Sequence, residues 1–247
     1  LFILAVTWLA VLAAMVLIKT FMFDKSKEEK IDVPESLIDE LYSYIDIKNL
    51  NNEISFYVDN YINSQNLGYT TIAKMTYNYI NKYDNLKIES VNDTDKSLFK
   101  EDGTLLNKIK INDFEEDVTS VISKSNFGLN EHFNKFDIDE NTSAYIKGEY
   151  LFIYKRNEPI DSNYVSYRGL ISYTLLDNAN KIQLTEYYLI CDKISKICYD
   201  SNNEEKNTYI TYSEDLNVST MIDKLKKYVH TFEKIGEKYK WISVEGL

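Results

Sequence analysis

Apolar and charged positions divide the chain into one uncharged run and a long remainder of mixed character. Residues 1–18 carry no charged side chain, the first charge is Lys19, and apolar residues return at 21–23. At about 1.5 Å per residue this run reaches across most of a hydrocarbon core roughly 30 Å thick. We therefore expect residues 1–23 to form a transmembrane helix that anchors the chain. A cleaved signal peptide and a buried core helix are the alternatives.

A charged spacer, 24–32, follows this segment and mixes lysines with acidic residues. A short N-terminal flank before a first anchor usually stays inside the cell. On that basis we expect residues 33–247 to form an extracytoplasmic domain on a single-pass protein of the cell membrane.

Helical periodicity is clearest in residues 33–84. Apolar residues spaced three and four apart predict helices over 34–46, 52–64 and 70–83. Gly68, between the last two, has the character of a helix stop.

Residues 85–143 have a mixed pattern. Short alternating segments predict strands over 86–91 and 105–111, separated by a polar loop over 93–103. Asn112, followed three residues later by Glu115, suggests a capping box at the start of a helix that ends before Gly128.

From residue 144 onward nearly every segment has strand character with hairpin-length loops, which is typical of an antiparallel meander. A short helix is expected around 218–225. The predicted strands cover 145–154 (with a turn at Lys147 and Gly148), 164–176, 182–191, 194–200, 208–212, 227–233 and 239–244. The predicted fold class is thus α+β: an N-terminal transmembrane helix, then helices packed on a mainly antiparallel β-sheet.

Charge narrows the range of partners. The formal net charge is −11, and 26 of the 28 basic residues are lysines, with Arg156 and Arg168 the only arginines. Phosphate backbones bind clustered Lys and Arg, so we expect no nucleic-acid binding. An acidic domain is also repelled by anionic lipid headgroups and should stand off the membrane surface.

Side chains capable of chemistry form no recognisable site. The two histidines are not in metal-ligand spacing; His230 suits a half-buried strand position beside Tyr228 and Phe232, and His132 an exposed one. Asp137, Asp139 and Asn141 have the spacing of the first three ligands of a calcium-binding loop. The Gly and Glu that such a loop needs at its sixth and twelfth positions are missing. We predict no catalytic, cofactor-binding or metal-binding residues and no cofactor.

The two cysteines are the most specific feature. A hairpin centred on 193–196 would place Cys191 opposite Cys198 and Ile190 opposite Tyr199, with both sulfurs on one face. A disulfide between Cys191 and Cys198 and two separate buried thiols are the alternatives.

Four segments of the chain resemble those of a known group of proteins. They are YVHTFEK (228–234) and YKWISVE (239–245) near the C-terminus, the helix running into Phe127 and Gly128, and the stretch EYYLI (186–190). From Tyr228 to Glu245 the chain resembles the closing hairpin of uncharacterised membrane-anchored extracytoplasmic proteins of low-GC Gram-positive bacteria and their wall-less relatives. The resemblance implies location and fold but no chemistry. The order of anchor, helices and sheet is also similar to single-anchor, cystatin-like subunits of conjugative transfer channels.

These observations favour a non-enzymatic, membrane-anchored extracytoplasmic domain that binds an unknown protein or envelope partner. One alternative is a subunit of a conjugation-type or secretion-type envelope assembly. A second is a carboxylate-dependent envelope hydrolase.

Overall fold

The computed structural model describes residues 33–47, 61–124, 127–200 and 210–247. The predicted anchor (1–23), the spacer (24–32) and most of the predicted helix 52–64 lie outside these residues. Within the described part, no helix is both long enough and apolar enough to cross a membrane.

Three helices supply the α component of the Glu35–Leu247 unit. They are α1 (Glu35–Ile45), α2 (Tyr69–Tyr83) and α4 (Ile111–Val121), with two shorter helices, α3 (Asp93–Leu98) and α5 (Leu129–His132). The starts predicted at residues 34, 70 and 112 are confirmed to within one residue. Helix α2 packs against both α1 and α4, and its residues 71–76 are all buried, so this stretch is enclosed on every side.

A five-stranded antiparallel sheet is built from the middle of the chain, in the order β2-β3-β6-β5-β4. Its strands are β2 (Ile88–Ser90), β3 (Gly103–Lys110), β4 (Lys135–Asp137), β5 (Thr142–Lys147) and β6 (Tyr150–Arg156). The predicted turn between β5 and β6 is confirmed, with Gly148 at φ 62°. Such a positive φ is readily adopted by glycine.

A second, seven-stranded antiparallel sheet runs β1-β12-β11-β8-β9-β10, with β7 on the other side of β8. Its strands are β1 (Ile62–Asn63), β7 (Tyr164–Leu176), β8 (Lys181–Asp192), β9 (Ile197–Tyr199), β10 (Ile210–Thr211), β11 (Lys227–Ile235) and β12 (Lys238–Gly246). Helix α4 lies against β3 of the first sheet and β12 of the second. The strands predicted from 144 onward are therefore shared between two sheets.

Several local predictions are wrong. Residues Ile62–Asn63, predicted to end a helix, form β1 and pair with Val244 and Ser243. The loop predicted over 93–103 contains α3, whose capping box is formed by Asn92 and Asp95. Tertiary pairing overrides helical periodicity in the first case. Helix α3 was missed because its capping box lies within a polar stretch that has too few apolar residues to show helical periodicity.

Two further corrections concern helix ends. Helix α4 begins at Ile111 without a side-chain cap, and Glu115 instead accepts a 2.7 Å hydrogen bond from the backbone N–H of Leu129. The helix predicted over 218–225 is two 3₁₀ turns, Val218–Thr220 and Ile222–Lys224.

The hairpin register predicted around residues 193–196 is confirmed: Ile190 pairs with Tyr199 and Cys191 with Cys198. The two cysteines are joined in a disulfide, with Cα atoms 3.8 Å apart. Both are fully buried in a small apolar cluster, whose other buried members are Leu189, Val218 and Leu225. The disulfide thus ties β9 to β8 within this cluster.

We predict that removing the disulfide costs moderate stability and leaves the fold intact. The bond closes a short loop between residues seven apart, for which the loop-entropy model gives about 2–3 kcal/mol. In chemical denaturation, the double variant Cys191→Ala/Cys198→Ala should have a free energy of unfolding lower by that amount, with an unchanged circular dichroism spectrum. Native protein that titrates with two free thiols before reduction would contradict the prediction.

Candidate functional site

A buried polar cluster lies on the inner face of the seven-stranded sheet. Strand β8 contributes Glu186 and β11 contributes His230, and both side chains are completely buried. We call the whole group the Glu186 cluster; its members are Tyr42, Arg168, Glu186, His230 and Trp241. They come from α1, β7, β8, β11 and β12, so the cluster joins one helix to four strands.

The carboxylate of Glu186 accepts hydrogen bonds from three side chains. Its Oε1 atom lies 2.8 Å from Nε2 of His230. Its Oε2 atom accepts from Nη2 and Nε of Arg168, at 2.6 and 3.0 Å, and from the Tyr42 hydroxyl at 3.2 Å. A buried carboxylate is stable only when it is paired and hydrogen-bonded in this way.

The contact between His230 and Trp241 determines which ring nitrogen of His230 carries the proton. The indole N–H of Trp241 lies 3.1 Å from Nδ1 of His230, and an indole nitrogen can only donate. Nδ1 therefore accepts, the ring is neutral, and the proton sits on Nε2, from which it is donated to Glu186.

The pKa shifts agree with this assignment. Burial lowers the pKa of His230 and outweighs the opposing influence of Glu186. Burial alone would raise the pKa of Glu186, but the Arg168 charge and the bond from His230 hold it below its ordinary range. The cluster is thus one ion pair, Arg168 with Glu186, supported by a neutral imidazole.

Arg168 also fixes the end of α1. Its guanidinium donates to the carbonyl oxygen of Ile45, the last residue of that helix, and lies 5.3 Å from the centre of the Tyr42 ring. A cation at a helix C-terminus is favourable because the last carbonyl groups lack partners within the helix. The cluster therefore attaches α1 to the sheet.

Chemically, a Glu–His pair resembles part of a hydrolytic site, but this one is closed. Glu186, His230 and Trp241 have no exposed surface, and the Arg168 side chain is 10% exposed. A general base must come within hydrogen-bonding distance of its substrate. The geometry supports a structural role.

An open groove on the surface is the other concave feature that we consider. It is lined by Glu115, Phe127, Gly128 and Glu131. Glu115 is already bonded to the N–H of Leu129, and the exposed His132 ring stacks on Tyr69 with centroids 3.5 Å apart. Of the groove's two carboxylates, Glu115 is thus used to hold the start of α5.

The calcium-like sequence over 137–141 forms a turn. Asp139 accepts bonds from the N–H groups of Asn141 and Thr142, both at 2.8 Å, and Asp137 pairs with Arg156 at 3.0 Å. Among the described residues, no group of three or more His, Cys, Asp or Glu side chains could hold a metal ion.

Sequence reasoning placed His230 beside Tyr228 and Phe232 on one strand face, and all three side chains point into the core. It predicted half-burial for His230, which is wrong, because α1 and the flanking strands cover that face. The rest of the cluster was missed. One signal was available: the only two arginines in a lysine-rich chain both form ion pairs with carboxylates, as suits their forked geometry.

We compared the chain with protein-family models, with curated proteins and with solved structures, and none of them matches it. The functional argument therefore rests on the sequence and the structure.

We predict that His230 makes stability pH-dependent. Its pKa is depressed in the folded state, so below about pH 6.5 the unfolded chain binds a proton that the folded chain excludes. The free energy of unfolding should fall as the pH drops from 6.5 towards 5, by up to about 1.4 kcal/mol per pH unit for one proton.

The variant His230→Gln keeps a donor towards Glu186 but cannot titrate, so it should flatten this part of the profile in chemical-denaturation experiments. Its stability at pH 7 should fall by about 1–3 kcal/mol because the Trp241 N–H loses its ring acceptor. The matched control is His132→Gln, at the exposed histidine. A full slope in His230→Gln, or a flattened one in His132→Gln, would disprove the assignment.

Proposed function

We propose that this protein is a membrane-anchored extracytoplasmic domain that acts by binding a protein or envelope partner and catalyses no reaction. The observation that carries the proposal is the uncharged run 1–18 ahead of an acidic domain. Such a run is long enough to hold the domain at a bilayer.

The positions of the buried charged side chains support a non-catalytic role. Strongly perturbed ionisable groups mark active sites when they line a cleft. Here the Glu186 cluster is sealed in the core. The Lys108–Asp95 pair, 2.9 Å apart and nearly buried, joins β3 to the capping box of α3. Both arrangements link elements of the fold to one another.

The C-terminal hairpin supports the extracytoplasmic assignment through its resemblance to anchored proteins of low-GC Gram-positive bacteria. The disulfide between Cys191 and Cys198 points the same way, because such bonds persist in oxidising compartments.

A subunit of a conjugation-type or secretion-type envelope assembly is a second candidate. It is favoured by one observation, the length of β7, which has thirteen residues and pairs with β8 as its only strand neighbour among the described strands. An assembly subunit would use such an edge to contact further subunits.

We predict that the domain is accessible from outside the cell. Leu86 is 93% exposed, so a cysteine placed there should react freely, and the native cysteines are held in a disulfide. A membrane-impermeant maleimide applied to intact cells should label full-length Leu86→Cys, and the labelled chain should sediment with membranes.

The unsubstituted chain and a cytoplasmic thiol protein serve as controls, and neither should be labelled before lysis. Deleting residues 1–23 should release the chain from the membrane fraction. Labelling of Leu86→Cys only after lysis would overturn the proposed location.

A further inference from the structure

The edge strands of the two sheets differ greatly in length. The strands at the ends of the two sheet orders, β1, β10, β2 and β4, have two or three residues each. Short edges of this kind leave few free backbone groups for another chain to pair with. Strand β7 is also an edge within the described part of the chain, yet it has thirteen residues.

Apart from one β-bulge at Ile171, the C-terminal half of β7 lacks the features that usually protect an edge. Segment 169–176 (GLISYTLL) contains no charged residue and no proline, in a chain with a net charge of −11. Residues 171–174 are all exposed, including Ile171 at 42% and Tyr173 at 46%. Both faces of the strand are therefore accessible, and no helix among the described residues covers 171–174.

A β-bulge sets the limit of the usable edge. The register with β8 shifts between Leu170 and Ser172, so Ile171 is the extra residue. From Ser172 to the end of β7 the pairing with β8 is regular. A bulge-free run of five residues, 172–176, is therefore available on the outer side.

We propose that this edge pairs with the same edge of a second copy of the chain. The two β7 strands run antiparallel about a two-fold axis at Thr174. This register places Ser172 opposite Leu176 and Tyr173 opposite Leu175, with the two Thr174 residues facing each other. Aromatic–aliphatic and Thr–Thr pairs across antiparallel strands are favourable.

The absence of charged side chains in 169–176 indicates what kind of partner this edge binds. A partner held by electrostatic attraction would need charged groups to bind, and 169–176 offers none. Within the described part of the chain, the outer side of this edge has no strand partner, and its backbone groups are flanked by neutral side chains, which suits another neutral extended strand. The chain itself contains one, and a two-fold arrangement satisfies both edges at once.

This inference rests on the proposed function in one respect, that the domain acts by binding a partner. It identifies a second copy of the chain as such a partner. It is independent of the anchor. Labelling at Leu86 tests location and cross-linking at β7 tests pairing, so the two can fail separately.

The test is position-specific cross-linking of the full-length chain, both in membranes and in mild detergent. Thr174→Cys should form a disulfide-linked dimer on mild oxidation or with a short bis-methanethiosulfonate reagent. The matched control is Ser172→Cys, two residues away on the same strand and also exposed. In the proposed register two copies of residue 172 are offset by four residues, roughly 13 Å along the strands, beyond disulfide reach.

We expect at least tenfold more dimer from Thr174→Cys than from Ser172→Cys, and restored dimer in the double variant Ser172→Cys/Leu176→Cys. Adding Tyr173→Lys to Thr174→Cys should abolish cross-linking, whereas Ile194→Lys, at an exposed position in the β8–β9 hairpin, should not. Circular dichroism melts verify that each variant is folded. Equal yields from residues 172 and 174, no dimer from either, or cross-linking to a different protein would overturn the proposal.

Discussion

A carboxylate with no exposure to water must be satisfied by groups that the fold brings to it, and this requirement constrains most of the domain. Glu186 receives donors from α1, β7 and β11, and the β11 histidine is itself positioned by Trp241 on β12. Losing one partner of a buried ion pair typically costs about 3–5 kcal/mol, because the remaining charge is stranded. The placement of five elements is therefore interdependent.

The sequence alone was sufficient where the determining contacts are local. The register of the β8–β9 hairpin was predicted to the residue, because the loop between Cys191 and Cys198 is short and symmetric, although the second strand is shorter than the predicted 194–200. Helix α2 was predicted because its apolar spacing is regular. The sequence alone was insufficient for β1, since Ile62 pairs with Val244, about 180 positions away. Likewise, no local pattern reports that the strands from 144 onward belong to two sheets.

The candidate site illustrates the same limit. Periodicity shows that His230 shares a face with Tyr228 and Phe232, but not that Arg168 and Trp241 reach it from neighbouring strands. Burial of a titratable side chain depends on what covers it, and for Glu186 one such group is Tyr42 of α1, which lies 144 positions earlier in the chain. Residue choice was informative all the same, since an arginine amid lysines indicates a place where planar, forked recognition is required.

Strand β1 has a consequence for the order of events in folding. It forms by pairing with Ser243 and Val244, about 180 positions further along the chain, and α1 is held by β7 and β8. Contacts of such large sequence separation slow folding, since a long loop must close before they stabilise anything. During synthesis, β1 and α1 are therefore made long before the strands that hold them in place. Until those strands are made, the apolar face of α1 has no sheet to pack on, and exposed apolar surface of this kind favours aggregation.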